Sequence, residues 1–161
     1  MVSDPKGPCA TFIRNLLAMA AKITGRPAES DNALDLFDTI KSQGAFVYGD
    51  TIKRRSGVDA ATVRGSIGRG DAQVELPFPI PLRTFGPVSQ RAMADYAETQ
   101  AVLQAMTALH EIMHLAGLGY GDYTLSNALA AMRGVVAPTF KDDDQASFYW
   151  NSALEGACKP R

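Results

Sequence analysis

Apolar side chains recur every three or four positions at Phe12, Ile13, Leu16, Leu17, Ala20 and Ile23. This spacing lines one face of a helix, with Pro8 before it and Gly25 as its terminator. A second helix is predicted with Ser30 or Asp31 as N-cap, Leu34, Leu36, Phe37 and Ile40 facing inward, and a stop at Gly44. From Ala45 to Phe85 the pattern changes. Short β-branched and aromatic runs (Phe46-Val47-Tyr48, Thr62-Val63, Val74-Glu75-Leu76) alternate with Gly and Asp, as strands joined by tight turns do. Pro77, Pro79, Pro81 and Pro87 then mark an extended connection over the surface.

Ser89 reads as the N-cap of the longest helix, which reaches about Ala116 and closes at Gly117. Its stretch from Ala92 to Leu109 has no Pro or Gly and is rich in strong helix formers. Two more helices are expected, over Tyr123 to Arg133 ended by Gly134, and over Asp143 to Ala157. The triplet Asp142-Asp143-Asp144 suits the positive end of the last helix. Helices, a small sheet, and helices again make an α+β order. The expectation is one domain over residues 1–161, with a small, mostly antiparallel sheet, a long helix and several flanking helices.

Composition narrows the function classes. A chain of 161 residues, 46% of them hydrophobic, can bury one sizeable core. Sixteen basic against seventeen acidic side chains give a formal charge of -1 and no basic stripe, so nucleic acid is not an expected partner. Lys53-Arg54-Arg55 is short and reads as solvated turn or strand-edge chemistry. No apolar stretch is long enough to cross a bilayer. The run from Phe12 to Ile23 could pass for a signal-peptide core, but Asn15 and Lys22 interrupt it and no small-x-small site follows. Gly65, Gly68 and Gly70 lack the lysine-serine pair of a phosphate loop and read as a hairpin turn. The only cysteines, Cys9 and Cys158, leave two readings open. They form a bridge between the first and last helices in an oxidising compartment, or they are unrelated buried thiols in a cytosolic protein. A secreted protein, or part of a larger exported one, is favoured slightly over a cytoplasmic one.

The long helix contains Leu109-His110-Glu111-Ile112-Met113-His114. Residues four apart in a helix lie about 40° apart around the axis and one turn along it. Both imidazoles therefore project from one face and can grip a single zinc ion. Glu111 points about 100° away from His110, where it can reach a water on the metal without being a ligand. That places Glu111 as a general base. These are the only two histidines in the chain, so the third ligand should be an oxygen. Asp122 comes first, because Gly117, Gly119 and Gly121 let the chain fold back; it is equally suited to be the N-cap of the next helix. Glu155 and Tyr120 follow. Tyr120 or Tyr123 could also hydrogen-bond a developing oxyanion, and Phe148-Tyr149-Trp150 reads as core.

His110-Glu111-Ile112-Met113-His114 resembles the signature helix of the zincin metallopeptidases. The resemblance implies zinc on the two histidines, Glu111 as general base, and a peptide or protein substrate bound in extended form against a small sheet that precedes the helix. Leu115-Ala116-Gly117 looks like the metzincin branch, in which a third ligand comes six residues after the second histidine. Here that position is Tyr120. Glu155 lies on a later helix, as the third ligand does in the gluzincin branch, but without the rest of that motif. The likeness covers some fifteen residues. It implies a zinc-dependent hydrolase, most simply a metallopeptidase. The alternative is a non-catalytic or degenerate zincin-like interaction domain, or an effector or toxin module of a larger secreted bacterial protein.

Overall fold

The computed structural model describes residues 4–43, 46–48, 61–64, 73–76, 99–117 and 120–158. Helix α1, Pro8–Thr24, has Pro8 in its first turn, where the missing N–H costs nothing. It ends at Gly25, whose φ of 67° is open to glycine without penalty and whose N–H reaches Ala21 O. Helix α2 spans Ala33–Ser42 and is capped by Asn32, whose side chain accepts from Leu34 N–H at 3.0 Å. The start is therefore later than Ser30 or Asp31. Ser30 Oγ instead accepts from the N–H of Asn32, holding the residue that caps. Leu36 and Ile40 face the core as expected, while Leu34 is exposed.

Helix α3 is described over Thr99–Leu115. Ser89, expected to start it, lies outside the described residues, as do Lys53 to Arg55, Gly65 to Gly70 and the prolines from Pro77 to Pro87. Helix α4, Asp122–Met132, begins one residue earlier than predicted because Gly121 is its N-cap. Helix α5, Asp143–Cys158, is opened by Asp142, whose Oδ1 accepts from Gln145 N–H at 2.9 Å. Asp142 to Asp144 thus serve the helix start, as their charge suggested.

The α+β expectation is corrected by where the core lies. Among the described residues three segments are extended, β1 (Phe46–Tyr48), β2 (Ala61–Arg64) and β3 (Gln73–Leu76). They pair in the order β1-β3-β2, with β1 parallel to β3 and β2 antiparallel to it, so the pairing is mixed rather than mostly antiparallel. Segments of three or four residues do not make a layer for helices to cover. The described core is drawn entirely from the five helices and from Ala116 and Tyr120 beside α3. Ile13, Leu16 and Leu17 of α1 meet Leu125 and Leu129 of α4 and Leu154 of α5, with Ile112 and Met113 of α3 in the same cluster. Each fully buried aliphatic side chain contributes about 1.5–3 kcal/mol. The described packed body is all-α.

Two cross-links fix the helices that matter for the site. Cys9 at the head of α1 is bonded to Cys158 at the end of α5, which resolves the two cysteine readings in favour of the bridge. Ser126 Oγ, fully buried on α4, donates to Ala146 O of α5 at 2.6 Å. Together these set α5 along α4 with Trp150 level with the start of α4.

Candidate metal centre

Helix geometry brings His110 and His114 together, as their spacing requires. Their Nε2 atoms lie 3.1 Å apart and their ring centroids 4.8 Å apart. His114 Nδ1 is 2.8 Å from the carbonyl oxygen of Tyr120. A carbonyl only accepts, so Nδ1 carries the proton and Nε2 presents a lone pair. His110 Nδ1 is buried without a hydrogen bond, and so is Oδ1 of Asn151, which bears on the same ring.

Asp122 completes the group. Its Oδ1 lies 3.6 Å from His114 Nε2 and 3.9 Å from His110 Nε2. The helix-cap role weighed for Asp122 does not hold, because Gly121 occupies the N-cap and no side chain caps that end. The carboxylate is turned to the histidines instead. Among the described residues, His110, His114 and Asp122 are the one set of three or more His, Cys, Asp or Glu placed to share a metal ion. All three are half-buried, with side-chain exposures of 15%, 17% and 20%, so the group is shielded but open to entry.

The fit to a metal can be judged from these atoms. Zinc–nitrogen bonds of roughly 2.0–2.1 Å at a tetrahedral angle set two ligand atoms about 3.3 Å apart. The observed 3.1, 3.6 and 3.9 Å edges bracket that length. Two imidazoles and one carboxylate form a donor set suited to zinc, with a fourth position left for water. A proton on one Nε2 bridges the 3.1 Å gap as a hydrogen bond, and a bound cation would take the place of that proton.

Burial, followed by repulsion from His114, pushes the His110 pKa below its ordinary value; Glu111, Asp122 and Asn151 oppose this. The neutral ring is the form a metal needs. Glu111 is itself buried on α3, 6% exposed, next to His110.

The remaining candidates sit elsewhere. Tyr120 is buried at 1% and its hydroxyl donates to Arg26 O at 2.6 Å, so the atom it turns toward the site is its main-chain oxygen. Burial raises the pKa of that phenol, with the Thr24 side chain opposing. Tyr123 is exposed and meets the edge of Phe140 at 6.0 Å. Glu155 is half-buried on α5 and outside the ligand group.

Sequence reasoning missed Trp150. Its indole stacks on His110 at 4.4 Å and 19°, meets His114 edge-on at 5.8 Å, and donates from Nε1 to Asp122 Oδ1 at 2.8 Å. Of the aromatic triplet expected in the core, Trp150 is fully buried, Tyr149 partly buried and Phe148 64% exposed. No local signal marks Trp150 as a partner of residues on two other helices.

No family model matches the chain, and no curated protein or solved structure matches it. Among the described residues, no helix is long and apolar enough to cross a membrane.

Proposed function

We propose that the protein binds one zinc ion through His110, His114 and Asp122, and that Glu111 makes this the centre of a metal-dependent hydrolase acting on peptide bonds. The observation that carries the reading is the convergence of both Nε2 atoms with Asp122 Oδ1, within 3.1 to 3.9 Å of one another. When bound, zinc supplies Lewis acidity that lowers the pKa of water and polarises a carbonyl. His114 donates from Nδ1–H to the Tyr120 carbonyl, which leaves its Nε2 to face the metal position. Glu111, next to His110 and not among the ligand group, is the proton acceptor and passes the proton on to the leaving amine. The zincin-like sequence His110 to His114 supports the peptidase assignment. The bridge between Cys9 and Cys158 supports an exported location, because disulfides persist where the surroundings are oxidising.

A second reading is a structural zinc site in a non-catalytic domain. The stacking of Trp150 on His110 favours it, since the ring covers one side of the group. Metal analysis and activity of three proteins separate the readings. The wild type should hold stoichiometric zinc and hydrolyse unstructured protein substrates. His114→Ala should lose the zinc, and Glu111→Gln should keep the zinc and lose hydrolysis. Absence of zinc from the wild type after loading sinks the metal centre. Hydrolysis unaffected in Glu111→Gln sinks the base, and a zinc-loaded wild type without hydrolysis of any peptide favours the structural site.

A further inference from the structure

The three candidate ligands are held in different ways. His114 is fixed within its own segment, by the Tyr120 carbonyl six residues on. Asp122 has no such anchor. It stands in the first turn of α4, where a carboxylate would ordinarily cap the helix or point to solvent, and it does not cap. Its Oδ1 accepts a hydrogen bond from an indole N–H that arrives on another helix, 28 residues away. The same indole lies flat on the His110 ring.

We infer that Trp150 is the positioning residue of this metal site: it presents Asp122 Oδ1 to the two histidines and fixes the plane of His110. The inference rests on the metal-site reading above. The indole is suited to the task because it is a donor only and cannot compete for a cation. It is also fully buried, so its ring has no room to turn. By donating to the oxygen nearest both Nε2 atoms, it leaves that oxygen one lone pair for the metal. Partners of this kind, one bond removed from a metal, change affinity by about 10–100-fold when removed.

The test compares zinc affinity, by competition with a chromophoric chelator, in the wild type, Trp150→Phe and Leu154→Ala. Leu154 is buried one turn further along α5 and belongs to the core. It reports what loosening α5 does by itself. Trp150→Phe keeps an aromatic ring and loses the N–H. It should bind zinc about 10–100-fold more weakly and give an altered visible spectrum with cobalt(II). Leu154→Ala should lower the thermal midpoint and keep both wild-type affinity and cobalt spectrum.

Equal affinity and equal cobalt spectra in the wild type and Trp150→Phe overturn the inference and leave the metal site standing. Equal weakening in Trp150→Phe and Leu154→Ala overturns it too, since the effect is then one of packing. A wild type that binds no zinc removes both readings together. Should Trp150→Phe not fold, the wild type still decides. Trp150 is the only tryptophan, so the protein has a single indole N–H resonance. That resonance should shift as zinc is added, over the same concentrations that load the site; an indole signal that stays still through stoichiometric loading overturns the inference.

Discussion

The main-chain oxygen of Tyr120 accepts a hydrogen bond from Nδ1–H of His114 at 2.8 Å, while the hydroxyl of the same residue donates to Arg26 O at 2.6 Å. Tyr120 thus faces the two histidines with its backbone and the α1–α2 connection with its side chain. A second link lies alongside, from Glu29 N–H to Ala116 O at 2.6 Å. The turn after α3 is pinned to residues 26–29, and this holds the carbonyl that orients His114.

Tyr120→Phe should therefore affect stability more than metal binding. It removes one half-buried hydrogen bond, costing about 1 kcal/mol, and leaves the carbonyl in place. Urea unfolding beside a zinc titration checks this. An oxyanion role for the hydroxyl gives the opposite pattern: hydrolysis lost, with stability and zinc affinity kept.

Gly117→Ala should be more damaging than an ordinary substitution at a helix end. A Cβ on Gly117 would lie 2.7–2.9 Å from ring atoms of Tyr120. Overpacking of this kind costs about 1–3 kcal/mol. The ring cannot retreat without moving the carbonyl beside His114, so weaker zinc binding should accompany the lower stability. Thermal unfolding and a chelator competition on one preparation read both effects. A wild-type zinc affinity in the destabilised variant would separate the Tyr120 ring from the orientation of His114.

Zinc should stabilise the folded chain by mass action. At free zinc 100 times the dissociation constant, the gain is about 2.7 kcal/mol. The thermal midpoint should rise with added zinc, fall again with chelator, and fail to respond in His110→Ala. A midpoint in His110→Ala that still climbs with zinc would place the ion elsewhere.

Reduction of the bridge between Cys9 and Cys158 should lower stability without removing the fold's local elements. The bond joins residues 149 apart, and closing a loop of this length is worth about 5 kcal/mol in the chain-entropy account. Alkylation without prior reduction should leave both cysteines unmodified in a mass spectrum. Denaturant unfolding with and without reductant measures the loss.

The helix that carries His110 and His114 was legible because its pattern is local. Four-residue spacing places His110 and His114 on one face of any helix, and the composition of the region makes a helix. Gly25 as a helix stop and Asp142 to Asp144 as a helix start follow from the same short-range physics. The small sheet was misjudged because short β-branched runs between glycines look alike whether or not they grow into a layer. What decides is how much apolar surface they cover, and here the described core is filled by helices.

By itself, then, the sequence determined two imidazoles and one glutamate on a helix, and it left open which oxygen lies beside the imidazoles and how the cysteines pair. Tertiary structure decided those neighbours. Gly121 took the cap position and freed Asp122 to face the histidines, and the packing of α5 on α1 and α4 joined Cys9 to Cys158 and laid Trp150 over His110. Helical periodicity fixes neighbours only within about one turn. Contacts between helices depend on how whole faces pack, which no single segment encodes.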